Sequence, residues 1–184
     1  MVIDGGVDMP TIVIARATTD EVRALAEELE WREVAASPDE VAWQPEATEA
    51  RVLWRPLDGE WGVLAVEGEH TEVALDDIAG VLDLWDDVDA MNAIAAAESP
   101  AEVAQWARRL GAFAAGDEAL SGTLDVLCGL LTSDRDEFVA AAVEGLSHAR
   151  WAALAEPLRR VGMRWPDLEA QCGRALASIR KSPV

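Results

Sequence analysis

Apolar and polar residues alternate along several short segments of the first 70 residues, a spacing typical of β-strands. Strands are predicted at 11–16 (TIVIAR), 31–36 (WREVAA) and 41–43 (VAW). Between the first two, Thr18 and Glu21 have the spacing of a helix capping box. A helix is predicted to follow, since its apolar residues form one stripe: Val22, Leu25, Ala26 and Leu29.

The clearest local pattern is EARVLWRPLDGEWGVLAVE, residues 49–67, which predicts a β-hairpin. Apolar residues alternate with polar ones on both sides of the turn residues Pro-Leu-Asp-Gly. A loop at these four residues sets Trp54 opposite Trp61, and a tighter turn shifts the pairing by two residues but keeps the same faces. We therefore expect two tryptophans on one face. Such a pair either binds a ligand or, more commonly, forms the floor of a core beneath a helix.

From residue 71 onward the apolar spacing predicts helices only. Thr71 is expected to cap a helix that runs to about Asp86. Ser99, followed by Pro100 and Glu102, is a strong start signal for a helix that continues to Gly116. Of the remaining helices, one is predicted to start at Asp117 and the next at Ser133 or Asp134. Two more are predicted to cover 149–162 and 166–180.

These elements predict an α+β fold. A small antiparallel sheet with one or two helices forms the N-terminal region, 1–70, and packs on an all-helical C-terminal half, 71–184. The two regions together are expected to form either two domains or one compact unit, because 184 residues suit either arrangement.

The helical half also contains a weak internal repeat. SPAEVAQWARRLG (99–111) aligns with DRDEFVAAAVEGL (134–146), and PDLEAQCGRALASI (166–179) is a looser third copy. Residues 95–181 resemble HEAT-like helical repeats, although Glu137 and Ala140 stand where that family usually has proline and arginine. The resemblance implies stacked helical hairpins that expose a long surface for partner binding. An ordinary helical bundle is the alternative.

The charge is unevenly distributed. The formal net charge is −20, and residues 1–100 hold 24 acidic residues against five arginines. Such a surface repels nucleic acid and anionic membranes and attracts basic proteins. No stretch approaches about 18 consecutive apolar residues, so no membrane span is expected. The first ten residues lack the basic start of a secretory signal, so we expect a cytoplasmic protein.

The candidate chemistry is sparse. His70 and His148 lie far apart, and no second ligand cluster turns EGEHTE (67–72) into a metal site. Cys128 and Cys172 are expected to be reduced core residues. The sequence lacks the motifs of serine hydrolases, zinc proteases, P-loop nucleotide hydrolases and dinucleotide-binding enzymes. We therefore predict no catalytic residues, no metal and no cofactor.

The most unusual segment is LDDIAGVLDLWDDVDA, residues 75–90, which lies in a stretch of nine acids without a base (67–89). It does not match a calcium-binding EF-hand loop, because Met91 and Asn92 stand where an oxygen ligand and a glycine are needed. An amphipathic helix fits better, with Leu75, Ile78, Val81, Leu82, Trp85 and Val88 inward. Its acids would face outward without partners, an arrangement that lowers helix stability. The predicted partner-binding residues are therefore Glu72, Asp76, Asp83, Trp85, Asp86 and Asp87.

The overall character, small, acidic and without catalytic motifs, is similar to that of bacterial toxin immunity proteins. This similarity implies a cytoplasmic inhibitor or antitoxin that masks a basic toxin or enzyme through its acidic surface. The alternative is a helical-repeat scaffold or adaptor protein without catalytic activity, whose acidity only confers solubility.

Overall fold

The computed structural model of the chain describes residues 10–37, 39–46, 49–116 and 119–181. The chain divides into two compact units, the first ending at Leu84 and the second beginning at Trp85.

The first unit is built on an antiparallel sheet, as the alternating pattern predicted, and the α+β class is confirmed. Two helices belong to it, α1 (Thr19–Glu28) and α2 (Thr71–Ala79). The strand order is β2-β3-β4-β5-β1-β6. The strands are β1 (Thr11–Arg16), β2 (Arg32–Ala36), β3 (Val41–Gln44), β4 (Arg51–Asp58), β5 (Trp61–Glu67) and the two-residue β6 (Leu84–Trp85), of which Trp85 is the first residue of the second unit.

The start of α1 confirms the predicted capping box. The Thr18 hydroxyl accepts a hydrogen bond from the Glu21 backbone N–H, and the Glu21 carboxylate accepts one from the Thr18 backbone N–H at 2.7 Å. These hydrogen bonds from Thr18 hold the pKa of Glu21 below its usual range. The predicted apolar stripe faces the sheet, with Val22, Leu25 and Ala26 buried.

The predicted hairpin is present as β4 and β5, but its strand pairing differs from the predicted one. Trp54 lies opposite Leu64, and a β-bulge interrupts the register between Pro56 and Asp58. A bulge adds one residue to one strand, and a shift of one residue moves every following side chain to the other face of the sheet. Trp54 and Trp61 therefore lie on opposite faces, and the predicted pair of tryptophans on one face is wrong.

Trp54 itself lies in the apolar core between the sheet and the helices. Its side chain is 0% exposed, and its indole N–H donates to the Thr19 hydroxyl at 3.1 Å, at the start of α1. The hydrogen bond satisfies the only polar atom of a large buried ring. The apolar cluster around it draws on β1, β3, β4, β5, α1 and α2, and includes Val22, Leu25, Val52, Leu64, Val66 and Ile78.

The second unit is helical. Ser99 caps α4 through a hydrogen bond from the Glu102 backbone N–H, as predicted. Asp117, predicted to start the next helix, lies outside the described residues, and the next helix of the structure starts later, at Ser121. The first residue of α6 follows the predicted Ser133 or Asp134 by two or three positions. The helices are α3 (Asp87–Ala96), α4 (Pro100–Ala112), α5 (Ser121–Leu131), α6 (Asp136–Gly145), α7 (Ala155–Arg164) and α8 (Glu169–Lys181).

The unit boundary differs from the predicted division at residue 70. Helix α2 packs against β5 and contributes Ala74 and Ile78 to the core beneath the sheet. It therefore belongs to the first unit and not to the helical one. That the two regions form either two domains or one compact unit stays a prediction.

Helices α4 and α6 approach each other at the level of their backbones. A Cβ atom added at Gly145 would lie 2.0 Å from the Arg108 carbonyl oxygen, and one added at Gly111 would lie 2.9 Å from the Gly145 carbonyl carbon. Two glycines thus permit the crossing. Beside it, Arg108 and Glu144 form an ion pair of 2.8 Å.

We expect Gly145→Ala to lower the free energy of unfolding by about 1–3 kcal/mol, because the new methyl group forces α4 and α6 apart. Urea denaturation followed by circular dichroism measures the change. Gly129→Ala, in α5, is the matched control because its Cβ would meet nothing within 4 Å. It should raise stability by about 0.5–1 kcal/mol through helix propensity. Equal effects of the two substitutions would contradict a close α4–α6 contact.

Candidate partner-binding surface

The acidic segment does not form the single helix that its apolar spacing predicted. Helix α2 ends at Ala79, and the backbone N–H groups of Gly80, Val81 and Leu82 close the end by bonding back to carbonyls within α2. Glycine and clustered aspartates are poor helix formers, so the helix stops where they accumulate. Val81 and Val88, predicted to face the core, are 62% and 51% exposed. The start also differs, since His70 and not Thr71 occupies the N-cap position, with φ of 60° and no capping bond from its side chain.

Asp86 stabilises the start of α3. Its carboxylate accepts from the Asp89 backbone N–H at 2.8 Å, and the Asp89 carboxylate accepts from the Asp86 backbone N–H at 3.2 Å. This reciprocal pair is a capping box, placed at the positive end of the helix dipole. Asp86 is therefore the N-cap residue of α3, with Asp89 as its reciprocal partner. The role of Asp86 that the structure describes is therefore to cap α3.

Asp87 is likewise committed to the fold. Its carboxylate accepts a hydrogen bond of 2.5 Å from the hydroxyl of Thr123, which is fully buried in α5. A buried hydroxyl without a partner is costly, so this bond stabilises the contact between α3 and α5. The half-buried Asp87 side chain is correspondingly less accessible than an outward-facing carboxylate.

Trp85, predicted as an anchor for a partner, stacks on another aromatic ring of the second unit. Its ring centroid lies 4.7 Å from that of Trp106, with 22° between the planes. The Arg109 guanidinium lies 4.6 Å from the same Trp106 ring. This stacking arrangement holds Trp85 half-buried.

Three of the six predicted residues, Glu72, Asp76 and Asp83, expose their side chains in the first unit. Glu72 and Asp76 are one helical turn apart on α2, and Asp77 beside them is also exposed. Two valines accompany these acids: Val73, 45% exposed, and Val81, just past the helix end. We call Glu72, Val73, Asp76, Asp77 and Val81 the α2 surface.

The α2 surface lies in a long region without cations. Between Arg55 and Arg108 the sequence contains 13 Asp and Glu residues and no Lys or Arg. Arg16, at the end of β1, directs its guanidinium to Glu60 at 3.1 Å. His70 is 3.7 Å from Glu72 and is a cation only when protonated. The carboxylates of α2 therefore have no Lys or Arg close to them in sequence that could compensate their charge.

Sequence reasoning missed Val73, Asp77 and the exposure of Val81. Gly80 was the available signal, because a glycine near the end of an apolar-periodic segment commonly terminates a helix. Ending the helix there removes Val81 from the inward stripe. Asp77 then lies on the same outer face as Val73, Asp76 and Gly80, by helical spacing.

The structure also places the residues considered for metal and thiol chemistry. Within the described ranges, no group of three or more His, Cys, Asp or Glu residues is placed to hold a metal ion. Both cysteines are free thiols. Burial raises the pKa of Cys172, and burial together with the Asp125 carboxylate raises that of Cys128, so both thiols are poor nucleophiles at neutral pH.

Comparison of the chain with protein-family models, with curated proteins and with solved structures found no match. Among the residues that the structure describes, no helix has the length and apolar character needed to cross a membrane.

We expect Asp86→Ala to lower the free energy of unfolding by about 1 kcal/mol, because the first turn of α3 loses its cap. Asp76→Asn is the matched control: it removes the same charge from an exposed site and should stay within about 0.5 kcal/mol of the parent protein. Thermal or urea unfolding of both variants measures the difference. Comparable losses in both would contradict the capping role.

We expect alkylation of Cys128 and Cys172 by iodoacetamide to be much slower in the native protein than in urea. Their raised pKa values leave little thiolate near pH 7.5, and the rate should increase steadily as the pH rises. Mass spectrometry of peptides from timed reactions measures each site. A native rate at pH 7.5 equal to that of the unfolded chain would contradict the raised pKa of that thiol.

Proposed function

We propose that this chain is a protein-binding inhibitor that masks a basic protein through the α2 surface, in the manner of an immunity protein or antitoxin. The observation that carries the proposal is the α2 surface itself, where exposed carboxylates flank exposed valines in a region without Lys or Arg. Charge alone has a simpler explanation in solubility. Exposed apolar side chains among the carboxylates do not serve solubility, and a partner that covers them would remove them from water.

The two kinds of residue have different physical roles. Carboxylates attract a positively charged partner from a distance and accelerate association, an effect that salt weakens. Val73 and Val81 contribute only after contact, by burying apolar area, and so slow dissociation. The partner that fits is a protein with a basic groove and an apolar contact inside it. Occupation of that groove by carboxylates blocks access of an anionic substrate.

The units carry very different amounts of charge, which supports binding by the first one. Residues 1–84 hold 20 acids and five arginines, a net charge of −15, whereas residues 85–184 have a net charge of −5. A basic partner is therefore attracted mainly to the unit that contains α2.

Neutralising the α2 carboxylates tests the proposal. Affinity capture from the native host identifies a partner, which should be basic and should be toxic or enzymatically active when alone. The variant Glu72→Gln/Asp76→Asn/Asp77→Asn should slow association with that partner about tenfold or more at low salt, because electrostatic steering is lost. Stopped-flow or surface plasmon resonance measurements over a range of salt concentrations give the rates. The variant should also fail to protect against the partner's activity.

The matched control is Glu27→Gln/Glu28→Gln/Glu46→Gln, which removes three exposed charges elsewhere in the first unit. It should retain most of the association rate. Equal rates for the two triple variants would contradict a specific role for α2 and leave only a general effect of net charge. Asp86 and Asp87 are left intact in both variants, because their loss would disturb α3.

A scaffold or adaptor role is the second candidate. The observation that favours it is that the helices of the weak repeat adjoin in order, with α4 packed on α6 and α6 on α8. Stacked helices of this kind present an extended surface for a partner. Under this alternative, partner binding is insensitive to the α2 variant and is lost on substitution of exposed residues in the second unit.

A further inference from the structure

The second unit contains an apolar groove between α7 and α8. Its volume is about 710 Å³, and its floor includes Leu158 and Cys172, which are 0% and 2% exposed. Gly162 and Gly173 also line it, and a Cβ atom at Gly173 would meet nothing within 4 Å. The groove therefore remains open because a side chain is missing from its wall.

Met163 lies on the rim of this groove and is 75% exposed. It is more exposed than the other large apolar side chains that the structure leaves at the surface of the described residues. A flexible thioether side chain fills irregular apolar gaps well. The same surface thus carries a protruding apolar side chain and an apolar recess.

The charges on the rim are balanced, unlike those of the first unit. Glu156 accepts hydrogen bonds from Arg159 at 3.4 Å and from Arg160 at 3.1 Å. These arginines hold the pKa of Glu156 below its usual range. Glu169, the first residue of α8, adds a carboxylate. The groove lining thus has two carboxylates against Arg159, with Arg160 beside it, so its net charge is too small to attract a strongly basic partner.

The charged groups are also arranged in a self-complementary way. A short connection that includes the turn Pro166–Leu168 joins α7 to α8, so the two helices run in opposite directions. Arg159, in the first half of α7, and Glu169 then lie towards opposite ends of the groove. A two-fold axis across the groove brings each Arg159 to Glu169 of a second copy.

We propose that the α7–α8 groove binds a second copy of this chain, forming a two-fold dimer. Met163 of each copy enters the recess beside Gly173 of the other, and the two Arg159–Glu169 pairs set the register. Matching of charge and shape within one surface is what an isologous contact requires. The dimer is independent of the function proposed for α2, because neither surface contains residues of the other.

Filling the recess tests the site. Sedimentation equilibrium should show the parent protein as a dimer at about 100 µM, well above a micromolar Kd. Gly173→Trp should be monomeric with unchanged circular dichroism and thermal midpoint, since its side chain enters open space. Gly173→Ala, the control, should remain a dimer. A monomeric parent protein, or a Gly173→Trp variant that still dimerises, overturns the proposal. So does a different protein bound in the groove of a monomeric parent.

Charge exchange tests the register. Arg159→Glu and Glu169→Arg should each raise the dimer Kd about tenfold or more by placing like charges together. The double variant should recover most of the affinity, and Arg180→Glu, near the end of α8 and outside the groove, should have little effect. Failure of the double variant to recover, with its fold intact, overturns the proposed pairing. The α2 triple variant should dimerise normally, so failure of one proposal is distinguishable from failure of the other.

Discussion

A shortage of cations is the constraint on which the rest of this structure depends. The chain contains 35 Asp and Glu residues and only 15 Lys and Arg, so ion pairs cannot compensate most of its carboxylates. Some carboxylates are instead stabilised by hydrogen bonds from backbone N–H groups at helix starts. These are Glu21 in α1 and Asp86 and Asp89 in α3. A free N–H at a helix start is a donor already oriented towards an anion, and the helix dipole adds to its attraction. Carboxylates used in this way stabilise the fold.

The remaining carboxylates lie at the surface, and their distribution separates the two units. In the first unit they accumulate on α2, which lies in a sequence region without Lys or Arg, and their mutual repulsion costs stability. In the second unit arginines accompany them, as Arg159 and Arg160 accompany Glu156. A strongly charged surface suits a partner of opposite charge, whereas an apolar surface with little net charge suits association with a second copy of the same chain. The two proposed contacts follow from this difference in local charge.

Local patterns predicted elements well and predicted their pairing poorly. The capping box of Thr18 and Glu21, the start at Ser99 and the strands of the hairpin were all confirmed, since each depends on residues within a few positions. The predicted sheet face of Trp61 was wrong, because one bulged residue between Pro56 and Asp58 reverses which side chains point to each face beyond it. The extent of α2 was wrong because apolar spacing continues through Gly80, where the helix does not. Because the candidate binding residues were chosen from that single predicted helix, two of them, Asp86 and Asp87, lie instead at the start of α3.

By itself the sequence determined the α+β class, most of the secondary structure and the excess of negative charge, because propensity, capping and charge are properties of short segments. Only the tertiary structure decided which carboxylates are available. Asp87 is committed to Thr123, a residue 36 positions away, and Trp85 stacks on Trp106. Such contacts join distant parts of the chain, so no local pattern encodes them, and they distinguish residues that hold the fold from residues that remain free to bind.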